Sequence, residues 1–180
     1  MAQAEVKRQA FEYLLYKLVE WYKSAYAISN DDNDISVLKA LKLLFFVSAV
    51  NATKDSNDTL LDDVFQNFVA MPYGHVESEV YSIIKKGDLQ NIIINNYRTE
   101  IRDFDPETVD AKLRQRIDDS VTKLKNTNFN LIKYSSFNLV DLSHSWYSWQ
   151  YFYNKALKSF NKSFPIDKEC IKSEEKIYSL

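Results

Sequence analysis

The chain has 180 residues, 46% of them apolar, with 23 basic and 25 acidic side chains and a formal net charge of −2. That balance excludes bulk electrostatic attraction to nucleic acid or anionic lipid, and the length suits one domain that buries roughly 70% of its unfolded surface. Two glycines and three prolines are too few for the turns of an all-β fold. The expected fold is therefore mainly α: a single domain over residues 1–180, a bundle of about seven to eight helices, with a small β-hairpin near residues 90–104. The longest apolar run, Leu43 to Val50, is interrupted by Ser48 and falls well short of the ~20 residues a membrane-crossing helix needs. The N-terminus is charged and helical in pattern, unlike a secretion signal, and the lone Cys170 has no disulfide partner. A soluble, cytoplasmic protein is the expectation.

Residues 5–28 place Phe11, Leu14, Leu15, Leu18, Val19, Tyr22 and Tyr26 at three- and four-residue spacing, which predicts an amphipathic helix. Ser29 to Asp34 is a polar loop, with Asp34 or Ser36 available to cap the next helix. Residues 36–52 are apolar on most sides, the pattern of a central buried helix. After a second polar loop, Thr53 to Asp58, the sequence predicts a short helix carrying Val64, Phe65, Phe68 and Val69. Pro72-Tyr73-Gly74 breaks it, because Pro fixes φ and Gly reaches backbone conformations closed to other residues. Glu77 and Glu79 then suit the first turn of a new helix that His75 opens, with Lys85 and Lys86 in its last turn and Gly87 as its stop.

Ile92 to Ile94, followed by Tyr97, Thr99 and Ile101, is β-branched or aromatic and predicts the hairpin, turning at Asn95-Asn96. Asp105-Pro106-Glu107 predicts the start of a helix that runs to about Lys125, with Val109, Leu113, Ile117, Val121 and Leu124 on its buried stripe. Residues 126–135 read as a loop or a short extended piece. Ser136 is expected to cap a short helix through His144. Ser145 is expected to cap a longer one, with Trp146, Trp149, Tyr153, Ala156, Leu157 and Phe160 on its core face. Pro165 ends that helix, and Asp167 caps a last one carrying Ile171, Glu175 and Ile177-Tyr178.

The residues that could carry chemistry are few. His75 beside Gly74 suits either a pH-sensitive contact or base, or a turn residue whose ring bonds local backbone; the second reading is favoured. His144, three residues after Asp141 and flanked by Ser143 and Ser145, suggests a fragment of a catalytic triad. The favoured alternative is a half-buried histidine that ties two helices together, oriented by the carboxylate. Two isolated histidines offer no metal-ligand spacing, and isolated glycines offer no phosphate loop. No catalytic, cofactor or metal residue is assigned. Tyr147 and Tyr151, spaced i, i+4, fit core-edge packing and partner contact equally well. Lys155, Lys158 and Lys162, like the later Lys168, Lys172 and Lys176, read as solvated helical faces.

Three segments in order resemble the Panacea family of SocA-like antitoxins. They are Lys42-Leu43-Leu44-Phe45-Phe46, then Tyr73-Gly74-His75-Val76 through Val80-Tyr81, then Leu142-Ser143-His144 through Trp146 or Trp149. The tail Phe164 to Glu175 is similar to the family's closing helix, so the resemblance spans about residue 8 to the end. The chain departs from the family in having His75 where Pro is usual. The resemblance implies an antitoxin that neutralises a cognate toxin, encoded next to it, by direct contact. It also allows a variant that hands the toxin to a cellular protease. The residues implied for partner binding are Tyr73, Gly74, His75, Tyr81, His144, Trp146, Tyr147, Trp149 and Tyr151 on one surface, with Tyr81 approaching His144. Two other classes stay open: a hydrolase using His144 or His75 as base, and a DNA-binding regulator. The near-neutral charge weighs against the regulator, and neither a membrane nor a nucleic acid is expected as a partner.

Overall fold

A computed structural model describes residues 2–180. The first helix, α1 (Gln3–Tyr26), turns its apolar stripe inward, with Phe11, Leu14, Leu15, Leu18 and Trp21 all buried. It ends where Ala27 adopts a left-handed conformation (φ 51°). Apolar side chains on every face oblige a helix to be surrounded. That is the situation of α2 (Val37–Ala49), capped by the Ser36 hydroxyl and buried throughout from Lys39 to Ala49. The bundle is built around it.

The next segment departs from the expected helix. α3 is a single turn, Leu60–Asp63, in which the Asp62 carboxylate accepts from the Thr59 N–H at 3.0 Å and from its hydroxyl at 2.6 Å. Phe68–Met71 is a strand, β1, and Gly74–Glu77 a second, β2, so Pro72-Tyr73 is the tip of a hairpin and His75 sits mid-strand. The pairs run from Phe68↔Glu77 to Met71↔Gly74. A two-residue strand from far along the chain, β5 (Phe164–Pro165), adds to the free edge of β1, giving the order β2-β1-β5. β2 is buried on both sides against α2 and α6. Pairing with the adjoining β2, itself buried against α2 and α6, and with the distant β5 overrode a local pattern that reads equally well as helix.

α4 (Ser78–Lys86) follows directly, with Glu77 as its cap (Val80 N–H to the carboxylate, 2.7 Å) and Gly87 (φ 72°) as its stop. The same Glu77 carboxylate accepts from Lys7 Nζ of α1 at 2.6 Å, and both side chains are fully buried. Lys7 also pairs with the exposed Glu79. Removing one partner of a buried ion pair strands the other. Glu77→Ala is therefore expected to cost about 3 kcal/mol, the low end for such a loss because Glu79 still faces Lys7. Glu77→Gln keeps one acceptor oxygen, enough for the Val80 N–H cap, and most of the packing, and should cost less. Urea-unfolding midpoints of the two variants check this, and equal losses would refute it.

The hairpin of β3 (Ile92–Ile94) and β4 (Thr99–Ile101) forms as expected, in the register Ile92↔Ile101. The Asn95 side chain closes its turn by accepting from the Tyr97 and Arg98 N–H groups at 2.8 and 2.9 Å. Asp105-Pro106 starts only a 3-10 turn, Pro106–Thr108. The backbone extends again at Val109, whose side chain is buried, and α5 (Ala111–Thr127) begins under a second cap, Asp110. A further 3-10 turn, Phe129–Lys133, leads to α6 (Ser136–His144), capped by Ser135 rather than Ser136.

α7 spans Tyr147–Lys158. Ser145 does not cap it, since its hydroxyl turns back to the Leu142 carbonyl at 2.6 Å. The Ser148 N–H instead donates to the Glu174 carboxylate at 3.0 Å, a cap supplied from the last residues of the sequence. The buried stripe is Ser148, Phe152 and Ala156; Leu157 and Phe160, expected on the core face, are exposed. α8 (Lys168–Ser173) is capped by Asp167, and the tail after it lies across the core, where the Ile177 carbonyl takes the Trp146 Nε1–H at 2.9 Å. The result is eight α-helices among the described residues with only small antiparallel sheets, a mainly α fold. Among those residues no helix is long and apolar enough to cross a membrane.

Candidate functional site

The three sequence segments singled out above meet in one place. α2 supplies Lys42 and Phe45, β2 supplies Gly74 and His75, and the α6–α7 corner supplies Ser143, Trp146 and Ser148. The His75 ring is completely buried and stacks on Phe45, with centroids 3.6 Å apart and planes 8° from parallel. Trp146 meets it edge-on at 6.1 Å. Ring atom Nδ1 lies 2.7 Å from Ser143 Oγ and Nε2 lies 2.8 Å from Ser148 Oγ. The His75 main-chain N–H also donates to Ser143 Oγ, at 3.0 Å. Two tautomers suit these contacts: Ser143 gives its proton to Nδ1 while Nε2–H donates to Ser148, or Nδ1–H donates to Ser143 while Ser148 gives its proton to Nε2. The ring thus bonds side chains from two other elements, not the local backbone that the sequence suggested.

Lys42 is fully buried and donates to the His75 carbonyl. No carboxylate faces it, and burial lowers its pKa to about 7. Burial, with Lys42 and His144 nearby, also holds the His75 pKa well below the usual 6.5. This node keeps a neutral imidazole and a partly neutral amine inside the core. Ser143, His75 and Ser148 form a serine–histidine chain by geometry, yet all three are fully buried and closed off from a substrate.

A second cluster reaches the surface at the tip of the first hairpin. His144 is half-buried; its ring stacks on Trp149 at 3.8 Å and its Nε2 meets the Pro72 carbonyl at 3.0 Å. Desolvation lowers its pKa, against the raising effects of the Pro72 carbonyl and of Asp141. It therefore ties α6 to α7, as expected, and to the hairpin as well, with the Pro72 carbonyl, not a carboxylate, as the hydrogen-bond partner of its ring. Trp149 donates to the Met71 carbonyl at 2.8 Å, so both carbonyls flanking the turn are held. On that braced tip Tyr73 stands 57% exposed, edge-on to the 62% exposed Phe137 with centroids 6.1 Å apart.

The structure thus brings Tyr73, His144 and Trp149 together. It places Gly74, His75 and Trp146 beneath them in the core, where no partner reaches them directly. Tyr147 and Tyr151 stack on each other on the opposite flank of α7. Tyr81, on α4, lies under Lys85 Nζ at 5.4 Å and forms no ring pair with His144. Phe137 was missed from sequence. Its only signal is that it falls out of phase with the buried Leu139, Val140, Leu142 and Ser143 of its own helix. Lys42 and Ser148 were missed as a node because only the fold brings them to His75. Among the described residues no cluster of His, Cys, Asp or Glu could hold a metal ion.

The class defined by this architecture is a mainly helical domain around one buried helix, with a β-hairpin packed into its side. The chain belongs to the family described as antitoxin SocA-like, Panacea domain, whose model matches residues 41–150. That span is narrower than the resemblance suggested, since it leaves out all of α1, the start of α2 and everything after residue 150, but it contains all three motifs. No curated protein and no solved structure matches the chain.

Proposed function

We propose that this chain is an antitoxin that neutralises a cognate toxin protein by direct contact through the braced hairpin tip. The family supports an antitoxin role in general terms. The observation that carries the finer reading is the exposed Tyr73–Phe137 pair on a turn whose flanking carbonyls are pinned by His144 and Trp149. Exposed aromatic side chains on a rigid base are the usual anchors of protein interfaces, because little conformational entropy is lost when they bind. Gly74, His75 and Trp146 act underneath as supports and Tyr81 extends the contact on a neighbouring face, while Tyr147 and Tyr151, on the opposite flank of α7, stand apart from it. Delivery of the bound toxin to a protease is a variant of the same contact. A hydrolase is less well supported, since the serine–histidine chain is sealed and the outer histidine is committed to a carbonyl.

The test is co-expression in a bacterial host with the adjacent open reading frame, scoring growth and co-purification. The neighbour alone should stop growth, and this chain should restore it in a stable complex. Tyr73→Ala with Phe137→Ala should weaken that complex by roughly 30-fold or more, the effect of losing an interface anchor worth about 2 kcal/mol. Both side chains are exposed, so the thermal midpoint should stay unchanged. A harmless neighbour with no complex would refute the reading.

A further inference from the structure

Between Asp141 and Asp167 the sequence contains no Asp or Glu, although the whole chain is net negative. The same stretch carries Lys155, Lys158 and Lys162. It folds into α7 and the turn after it. One flank of α7 packs on the first hairpin through Trp149; the other presents Tyr147, Tyr151 and Lys158 to solvent. Lys155 Nζ sits 4.6 Å from the centre of the Tyr151 ring.

At the end of this flank stands Phe160, 99% exposed and in the left-handed region at φ 55°. The turn is fixed by the Asn161 N–H donating to the Ala156 carbonyl at 2.9 Å, the closing bond of a helix C-terminus. Glycine is the usual occupant of that position, because a side chain there is strained. A phenylalanine there gives the fold neither buried area nor backbone comfort. It holds a large apolar ring away from the body, on a rigid turn, within a carboxylate-free basic segment.

We propose that Phe160 and the outer flank of α7 form a second docking surface, which takes an acidic protein segment. Phe160 enters an apolar pocket or meets a large apolar side chain of the partner, and Lys155, Lys158 and Lys162 meet carboxylates around it. The charge pattern selects this occupant, since opposite charges around an apolar anchor give both attraction and register. A lipid surface is a poorer fit: Tyr147, Tyr151, Leu157 and Phe160 stand out there, but Asn154, Lys158, Ser159, Asn161 and Ser163 interrupt them, so no continuous apolar face forms. A nucleic acid is also a poorer fit, because the two tyrosines stack on each other and the patch has three lysines and no arginine. The proposal does not depend on toxin neutralisation.

The test is panning of a random-peptide display library on the purified full chain, followed by fluorescence polarisation with one enriched peptide. Enriched peptides should combine several Asp or Glu with a large apolar residue. Their affinity should fall roughly 10-fold or more in Phe160→Gly and in Lys158→Glu with Lys162→Glu. Phe160→Gly should at the same time raise the melting temperature by about 2–4 °C, because glycine relieves the left-handed backbone. The loss of binding then cannot come from unfolding. The proposal is overturned if no acidic peptide is enriched, or if the peptides bind Phe160→Gly as well as wild type. It is also overturned if phosphatidylserine–phosphatidylcholine vesicles or an oligothymidylate bind this flank in place of the peptides. None of these assays contains a toxin, so failure here leaves the antitoxin reading to its own experiment.

Discussion

Gly74→Ala is expected to destabilise the protein by about 4–6 kcal/mol, enough to unfold many domains of this size. Gly74 has φ 102°, beyond the region that side chains tolerate even in left-handed turns. An added Cβ would lie 2.3 Å from Ser143 Oγ, 2.9 Å from Ser143 Cβ and 3.0 Å from Lys42 Nζ. Ser143 cannot retreat cheaply, because its hydroxyl holds both the main-chain N–H and the ring of His75. Backbone strain, overpacking and lost buried hydrogen bonds therefore add together. Gly87→Ala is the internal control. Gly87 also has a positive φ, 72°, but an added Cβ would meet nothing within 4 Å, so its cost should be about 1 kcal/mol. Urea-unfolding midpoints of the two variants measure the difference, and equal costs would show that the close approach to Ser143 and Lys42 is not what requires glycine.

The second large effect is in pH. Lys42 has a folded pKa of about 7 against an ordinary 10.5, so between those values the unfolded chain binds more protons than the native one. Stability must then rise with pH across that window, by up to about 1.4 kcal/mol per unit. His75 acts in the same direction lower down. Its folded pKa is depressed well below 6.5, so stability is lost as pH falls below 6.5. Tyr13 and Tyr178 set the upper limit. Burial raises both pKa values well above 10, helped by Asp118 for Tyr13 and Glu174 for Tyr178. Their contribution is therefore lost as pH climbs past 10. Unfolding midpoints measured from pH 5 to 10 should increase toward the alkaline end. Lys42→Met should flatten the rise above pH 7, and His75→Gln the fall below 6.5. An unchanged profile in Lys42→Met would mean that this amine is hydrated or paired in solution.

Helices with a single apolar stripe or an all-apolar surface were legible residue by residue. α1 and α2 lie within a few residues of where their spacing and caps place them; α5 keeps its stripe but starts from the Asp110 cap rather than Asp105, and α8 keeps its Asp167 cap but ends at Ser173, short of the expected Ile177-Tyr178. The β3–β4 hairpin was legible too, because its strands adjoin and Asn95 carries the turn's bonds itself. The first hairpin was not. Its strands adjoin as well, but Pro72-Tyr73 lacks a turn signal like that of Asn95, and the short apolar run Phe68 to Met71 suits a helix as well as a strand; only the Phe164–Pro165 edge is beyond any local window. The cap of α7 failed for the same reason, its carboxylate coming from Glu174. In the site, Tyr73, His144 and Trp149 were named correctly as neighbours. Phe137 escaped notice because an exposed aromatic and a buried one look alike until a helix is oriented.

By itself the sequence determined a mainly helical protein around the largely apolar run Val37–Ala49, and three motifs specific enough to mark its family. Those follow from composition and from local spacing, which the chain carries wherever it goes. The tertiary structure alone decided what the motifs are for. Their lysine, histidine and serines close into one sealed core node because each polar group, once taken from water, needs a partner that only a distant segment supplies. The residues left over, Tyr73 with Phe137 and the Phe160 flank, stay outside because the core's polar and apolar needs are met without them.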